Sequence, residues 1–207
     1  GAISVTGTGG TATGPGARGV HLNAGGRITS TGTGPTAATV TVTGFGGTNG
    51  TNNRRGIHVT GAGSQIISVD GAIVLNGTGG VGGSGTGSRG VSIDTAAVVQ
   101  ATGTAPITIT GVEGTAGTSL EGISVESAVT SIATNAGSGT ITLIANQMLI
   151  DVTNPIINAG ANNVVMRQRT NGRAIAIGGT DTSTQLGLTD GELDRVTAGT
   201  LTVGDAN

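Results

Sequence analysis

The sequence predicts an all-β fold: a right-handed parallel β-solenoid with three short strands in each coil and a Gly-rich loop along one edge. Two observations predict this fold: several motifs repeat in a common register, and the composition is unusual. Of the 207 residues, 42 are Gly, one is Phe, and there is no Trp or Tyr. Because aromatic side chains normally supply the largest buried areas of a core, Val, Ile, Leu and Ala must fill this interior. That favours a thin, repetitive fold.

The first motif is a five-residue segment that alternates apolar and small polar residues and ends in Gly. Its clear copies follow one another at intervals of 33 to 37 residues. They are Ile3–Gly7, Val40–Gly44, Ile73–Gly77 and Ile107–Gly111. A degenerate fifth copy, Ile141–Ala145, continues the series. Such a period indicates a stack of equivalent units.

Two further motifs repeat in the same register as the first, so the periodicity is not a matter of chance. The second has a charged residue and a Gly before an alternating segment: Arg18–Leu22, Arg55–Val59, Arg89–Ile93 and Glu121–Val125. The third consists of the β-like segments Arg27–Ser30, Gln65–Val69, Val98–Ala101 and Val129–Ala133. Each unit therefore contains three short strands.

The alternation assigns one face of each strand to the interior. We expect inward side chains at the apolar positions of the first two motifs, so that each Ile or Val lies over its equivalent one coil away. Parallel crossovers are right-handed by default. The loop Thr78–Ser88 consists almost wholly of Gly, Ser and Thr, so we expect it to be solvated and removable.

The pattern changes near residue 145, which divides the chain into two regions of one continuous solenoid. Residues 1–145 form Gly-looped repeats of about 34 residues, and residues 146–207 form tighter coils without long loops. Strands are predicted at Met148–Val152, Val164–Arg167, Ala174–Ile177 and Leu201–Val203. The stretch 189–196 predicts a short helical turn, with Asp190 as its cap.

Charge and length exclude several classes of function. The net charge is −2 and all nine cationic residues are Arg, without the basic patch and aromatic platforms of a nucleic-acid binder. We therefore expect no nucleic-acid partner. No apolar run has the length of a membrane-spanning helix, and there is no Cys for disulfides or thiolate metal sites. The first and last residues suggest a piece of a longer protein.

Several strings of the chain resemble the repeats of filamentous-haemagglutinin-like exoproteins. Examples are Ile107–Gly111, Asn52–Ile57 and above all the C-terminal string Leu186–Leu201. These are very large surface proteins of bacteria. The resemblance covers essentially the whole chain. It implies an extended β-helix that is secreted to the cell surface or the extracellular matrix, where it serves adhesion. It implies no catalytic residue and no cofactor.

Arg18, Arg55 and Arg89 hold equivalent positions and are predicted to stack one strand apart. As a basic stripe they would contact an acidic glycan or lipopolysaccharide. Alternatively, they close the long loops by binding loop carbonyls, which we favour because surface charges are usually solvated. In the fourth coil the position is Glu121, which would pair with Arg89.

Two other columns are candidate binding surfaces. His21 and His58 are predicted to stack, but two imidazoles fall short of the three or four ligands of a native metal site, so no metal is expected. Outward Thr residues form paired columns that resemble an ice-binding face: Thr6, Thr41, Thr43, Thr108, Thr110 and Thr142. Val74, Asn76 and Ile144 interrupt them, and Thr also simply suits an exposed strand.

The carboxylates do not suggest an enzyme. Asp70, Asp94, Glu113 and Glu126 are scattered over the predicted strands and loops, whereas acid–base chemistry needs paired carboxylates. The leading interpretation is a stiff structural or adhesive segment that displays loops. A carbohydrate-binding surface is the alternative, and ice binding is the third. The expected partners are further solenoid of the same protein, identical copies placed end to end, or surface glycans.

Overall fold

The fold is an all-β parallel solenoid of about 6 turns, as the sequence predicts. It is seen in a computed structural model that describes residues 1–11, 13–126, 131–135, 137, 139–151 and 157–204. Three parallel sheets form its sides. They are called here sheet A, sheet B and sheet C, and they hold the first, second and third strands of each coil.

Four complete coils come first. Coil 1 contains β1 (Ala2–Thr8), β2 (Val20–Leu22) and β3 (Arg27–Ser30). Coil 2 contains β4 (Thr39–Phe45), β5 (Ile57–Thr60) and β6 (Gln65–Ser68). Coil 3 contains β7 (Ile73–Thr78), β8 (Val91–Asp94) and β9 (Val98–Ala101), and coil 4 contains β10 (Ile107–Val112), β11 (Ile123–Glu126) and β12 (Ile132–Thr134).

The later coils are less regular. Coil 5 contains β13 (Ile141–Ile144), β14 (Met148–Ile150) and β15 (Ile157–Asn158). Coil 6 contains β16 (Asn163–Arg167), β17 (Ala174–Ile177), β18 (Gln185–Leu188), the helical turn α1 (Asp190–Leu193) and β19 (Val196–Thr197). β20 (Thr200–Val203) then returns to sheet A. The predicted strand residues 129, 130 and 152 lie outside the described part of the chain.

The three motifs stack as predicted. Sheet A has the order β1-β4-β7-β10-β13-β16-β20, sheet B the order β2-β5-β8-β11-β14, and sheet C the order β3-β6-β9-β12-β15-β19. In sheet A, Ile3 pairs with Val40, Val40 with Ile73, and Ile73 with Ile107. The register therefore follows the sequence motif residue by residue.

The predicted inward side chains form the core. Side chains of coils 2 to 5 at these positions are fully buried, including Val40, Ile57, Leu75 and Ile109. Ile3 and Val5 of coil 1 are only partly buried against the same core. Equivalent Val, Ile and Leu residues lie directly over one another, so the core is a continuous apolar column. Within the described residues, no helix has the length and hydropathy needed to cross a bilayer.

Glycines allow the first two strands of a coil to meet at its corner. A Cβ placed on Gly77 would lie 2.2 Å from the carbonyl oxygen of Gly90, and one on Gly111 would lie 1.9 Å from that of Gly122. Gly7 and Gly44 have the same relation to Gly19 and Gly56. Backbone lies directly against backbone there, which only Gly permits. The Gly at the end of the first motif and the Gly inside the second motif are thus two halves of one contact.

The Gly-rich loops continue the stacking beyond this corner. We call them the loop stack, which comprises residues 9–11, 13–19, 46–56, 79–90 and 113–122. Gly46 donates to Thr78 O at 2.8 Å, and Gly80 donates to Arg54 O at 2.7 Å. The prediction of a solvated loop is wrong at its base, where Gly79, Gly80 and Ser88 are buried. Backbone hydrogen bonds between coils, rather than apolar anchors, order the loops.

Coil 6 departs from the repeat. The sequence predicted neither β18 nor β19, and the helical turn begins at a different cap: Thr189, not Asp190, is the N-cap, and Glu192 completes a capping box with it. β17 and β18 form a separate two-stranded parallel sheet. Within the described residues, sheet B therefore ends at β14, while sheets A and C continue.

Candidate functional site

The outer face of sheet B carries most of the charged side chains that the sequence analysis singled out. Arg55 precedes β5 and lies in the column of Arg18 and Arg89, because Gly19 N donates to Arg55 O and Gly56 N donates to Arg89 O. The Arg55 and Arg89 side chains are only 11% and 8% exposed. Among the described residues, neither guanidinium donates to a loop carbonyl, which is the role that the sequence analysis favoured.

Arg55 instead binds a carboxylate of the next coil. Its Nη1 lies 3.1 Å from Asp94 Oδ2, and His58 Nε2 lies 2.8 Å from the same oxygen. Arg55 Nη1 also contacts His58 Nε2 directly. Burial opposes ionisation of Asp94, but the hydrogen bonds from His58 and Thr60 and the Arg55 charge outweigh it and hold the Asp94 pKa well below its usual range.

Arg89 repeats this arrangement one coil further. Its Nε donates to Glu121 Oε2 at 2.6 Å, which confirms the predicted pair, and its Nη2 donates to Glu126 Oε1 at 3.1 Å. Burial lowers the pKa of Arg89, but the two carboxylates outweigh it and raise the pKa above its ordinary value. Buried charges of both signs are thus neutralised between coils rather than presented to solvent.

The carboxylates are less scattered than the sequence suggested. Glu126 pairs in register with Asp94, so the two acids belong to one column on sheet B. Asp70 lies elsewhere, at the turn between sheets C and A. There its two oxygens accept N–H groups of Gly34 and Thr104, each at 2.7 Å. These acids bind donors of neighbouring coils.

Arg54, which the sequence analysis passed over, performs the loop-closing role that we had assigned to its neighbour. Its side chain is completely buried. Nη1 donates to Val81 O at 3.2 Å and Nη2 to Ala116 O at 2.9 Å. One guanidinium of coil 2 therefore fastens the loops of coils 3 and 4. The Arg-Arg pair at 54 and 55 gave no sign of which residue points into the loop stack.

The two histidines stack as predicted. Their rings lie 5.0 Å apart, centroid to centroid, with an interplanar angle of 4°. His21 is exposed and His58 is buried. Burial lowers the pKa of both imidazoles. Among the described residues, no group of three or more His, Cys, Asp or Glu side chains has an arrangement that could hold a metal ion.

The outer face of sheet A carries the predicted Thr columns in register. Thr6 pairs with Thr43, and Thr108 with Thr142, while Thr41 and Thr108 both pair with Val74. Thr110 has Asn76 and Ile144 as its neighbours. Most of these side chains are half-buried by their neighbours in the sheet. Binding of ice by this face stays a prediction.

A groove of about 470 Å³ lies at the end of sheet B. Five of its lining residues are acidic: Glu121, Glu126, Asp151, Asp181 and Glu192. Asp181 accepts the N–H groups of Met148 and Gly187 at 2.8 and 2.7 Å. Glu192 accepts the N–H groups of Ile150 and Thr189 at 3.0 and 2.9 Å. Both carboxylates thus replace missing strand partners at the edge of β14.

Burial raises the pKa of Asp181 to about 6, although its two N–H partners act in the opposite direction. The sequence analysis missed both edge acids. The Thr189-x-x-Glu192 pattern is a recognisable capping box, but nothing local indicates that Glu192 also reaches β14.

The fold places the chain in the class of parallel β-solenoid repeat proteins. No protein-family model matches it, and neither a curated protein nor a solved structure matches it.

Proposed function

We propose that the chain is a structural segment of a secreted bacterial surface protein, a stiff rod that displays the loop stack. The observation that supports this proposal most directly is where the polar side chains are bound. Arg54, Arg55, Arg89 and Asp70 each bind a coil other than their own. Such contacts resist shear and bending between coils, as a rod requires.

The proposed parent family is that of filamentous-haemagglutinin-like exoproteins, on the strength of the repeat strings and the C-terminal string Leu186–Leu201. The proposed location is the cell surface or the extracellular matrix, with adhesion as the biological role. Among the strands that the structure describes, β1 and β20 each pair on one side only in sheet A. We propose that further solenoid extends the rod, either of the same protein or of identical copies placed end to end.

Stiffness can be measured with spin labels, because the chain has no Cys. Ser4 and Thr202 lie in one outward column of sheet A, six strand steps apart through the register of the sheet. Six steps span roughly 29 Å. We expect the doubly labelled variant S4C/T202C to give one narrow distance distribution near that value by double electron–electron resonance.

The pair S4C/T142C is the matched control, since four steps of the same column span roughly 19 Å. The difference between the two mean distances should be close to two strand spacings. A broad distribution for the long pair beside a narrow one for the short pair would show that the coils bend, and would overturn the rod proposal. Specific, saturable binding on a glycan array, by a protein whose long pair gives a broad distribution, would support the carbohydrate-binding alternative in place of the rod.

A further inference from the structure

The charged column on sheet B follows a rule that coil 1 breaks. In coils 2 and 3, the arginine that precedes the sheet B strand binds the acid at the end of the corresponding strand in the next coil. Arg55 binds Asp94 in this way, and Arg89 binds Glu126. The register of β5 and β8 places Thr60 opposite Asp94. Coil 2 therefore offers Arg18 a hydroxyl where the later coils offer a carboxylate.

Arg18 is accordingly left without an acid. Among the described residues it makes no ion pair, and its Nε is buried without a hydrogen-bond partner. Its side chain is half-exposed, so a group from outside can reach it. Arg55 Nε is also buried without a partner, although Arg55 binds Asp94 through Nη1. What distinguishes Arg18 is that, among the described residues, its terminal nitrogens have no carboxylate in the place that Asp94 takes for Arg55.

The second donor of the column is also present in coil 1. His21 pairs in register with His58 and stacks on its ring. Arg18 precedes His21 by three residues, as Arg55 precedes His58. In coil 2 this Arg–His pair converges on a single carboxylate oxygen, that of Asp94. The protein therefore shows in its own second coil which chemical group such a pair binds.

The surrounding charge favours an anion. The charged groups that act on His21 are Arg18, Arg55 and Asp94, two cations and one anion. Arg55 is in turn influenced by Arg89 and Glu126, which form an ion pair with each other. The Thr60 hydroxyl donates to Asp94 and supplies no charge. Arg89 has two carboxylates, Glu121 and Glu126. Among the described residues, Arg18 is the arginine of this column without an ion-pair partner.

We propose that Arg18 and His21 form a binding site for a carboxylate group of an acidic polysaccharide, equivalent to the site that Arg55 and His58 provide for Asp94. A single guanidinium and one imidazole hold one carboxylate weakly. A polymer that carries a carboxylate on each sugar presents many such groups at once, so rebinding raises its apparent affinity. This site goes beyond the structural role and does not depend on it.

The test uses polygalacturonate and monomeric galacturonate as probes, with the His21 ring signals observed by NMR and affinities measured by calorimetry. The chain has only two His residues, so the ring signals are readily assigned. We expect saturable shifts of the His21 signals, and an affinity for the polymer at least tenfold higher than for the monomer. Equal affinities would overturn the assignment to a polysaccharide.

Three variants locate the site. Arg18→Gln should weaken binding at least tenfold. Thr60→Asp should have the same effect, because it gives Arg18 the internal partner that Arg55 has in Asp94. Unchanged circular dichroism spectra of both variants would show that the loss of binding is not a loss of fold. Arg27→Gln is the matched control: Arg27 is an exposed arginine of the same coil that lies against the Gln65 side-chain amide.

Binding by Arg27→Gln should stay within twofold of the parent protein. Unchanged binding in both Arg18→Gln and Thr60→Asp would overturn the proposal, as would equal losses in Arg18→Gln and Arg27→Gln. The latter result would mean that net charge alone attracts the polymer.

Discussion

Glu192 Oε1 accepts the backbone N–H of Ile150 at 3.0 Å, although the two residues are 42 positions apart in the chain. In a continuing sheet, a carbonyl of the next strand would receive this N–H. Asp181 occupies the same role beside Met148. An open strand edge is a template for unwanted pairing. The two carboxylates therefore end sheet B chemically, while the backbone of sheets A and C goes on.

This relation predicts the effect of Glu192→Gln. The second oxygen of Glu192 accepts the N–H and the hydroxyl of Thr189, so an amide NH₂ would face a donor on one side whichever way it turned. We expect the free energy of unfolding to fall by about 1–3 kcal/mol, measured by urea denaturation. Asp190→Asn, on an exposed acid of the same helical turn, should stay within about 0.5 kcal/mol. Equal stability of both variants would contradict the role of Glu192 at the edge of β14.

The buried Arg54 predicts that the loops cannot be shortened freely. Replacing residues 79–88 by a short turn removes the Val81 carbonyl and leaves a completely buried guanidinium with one partner fewer. We expect the truncation to destabilise the protein, and to do so by about 1–3 kcal/mol less in an Arg54→Met background. The coupling is measured by a double-mutant cycle of urea melts. Additive effects would show that Arg54 does not depend on the loop.

The corner glycines predict that the loss of stability on adding one methyl group to the protein depends strongly on which Gly is replaced. In Gly77→Ala, the new Cβ would lie 2.2 Å from Gly90 O and 2.6 Å from a Val91 methyl, so the two strands must separate. We expect a loss of about 3 kcal/mol in the free energy of unfolding. Gly10→Ala meets nothing within 4 Å and should stay within about 0.5 kcal/mol. Similar melting temperatures of the two variants would mean that the corner yields easily.

The sequence predicted the features of the fold that repeat from coil to coil. Alternation assigned Ile109 and its equivalents to the interior, and the spacing of the motifs fixed the register between coils. Those features recur in every unit, so one sequence shows them several times. Part of the Arg–carboxylate column could be predicted, since Glu121 stands where coils 1 to 3 have Arg. The shared position of Asp94 and Glu126 required the strand ends to be placed to within one residue.

Features that occur only once in the chain could not be predicted from the sequence. The choice between Arg54 and Arg55 depends on how the loop stack folds back over the corner, which no local signal encodes. The second bond of Glu192 depends on sheet B ending at β14. Each is a contact between residues that are far apart in sequence and have no equivalent in the other coils.

The buried imidazole of His58 predicts how stability depends on pH. Burial, followed by the Arg55 and Arg18 charges, lowers its pKa below the ordinary value of 6.5, even though Asp94 acts in the opposite direction. Below pH 6.5 the unfolded chain therefore binds a proton that the folded protein does not, and stability falls as the pH is lowered through this window. His58→Gln keeps a donor for Asp94 and removes the titration, so this part of the dependence should disappear.

The carboxylate of Asp181 provides an internal check on this pH experiment, because its effect on stability has the opposite sign. Asp181 has its pKa raised to about 6, so its contribution to stability is present at low pH and is lost as the pH rises through 6. In the double variant H21Q/H58Q, which has no His, stability between pH 7 and pH 5 should therefore increase on acidification. Urea melts at half-unit steps of pH measure both slopes. A parent protein and a His58→Gln variant with the same dependence on pH would show that folding does not shift the pKa of His58.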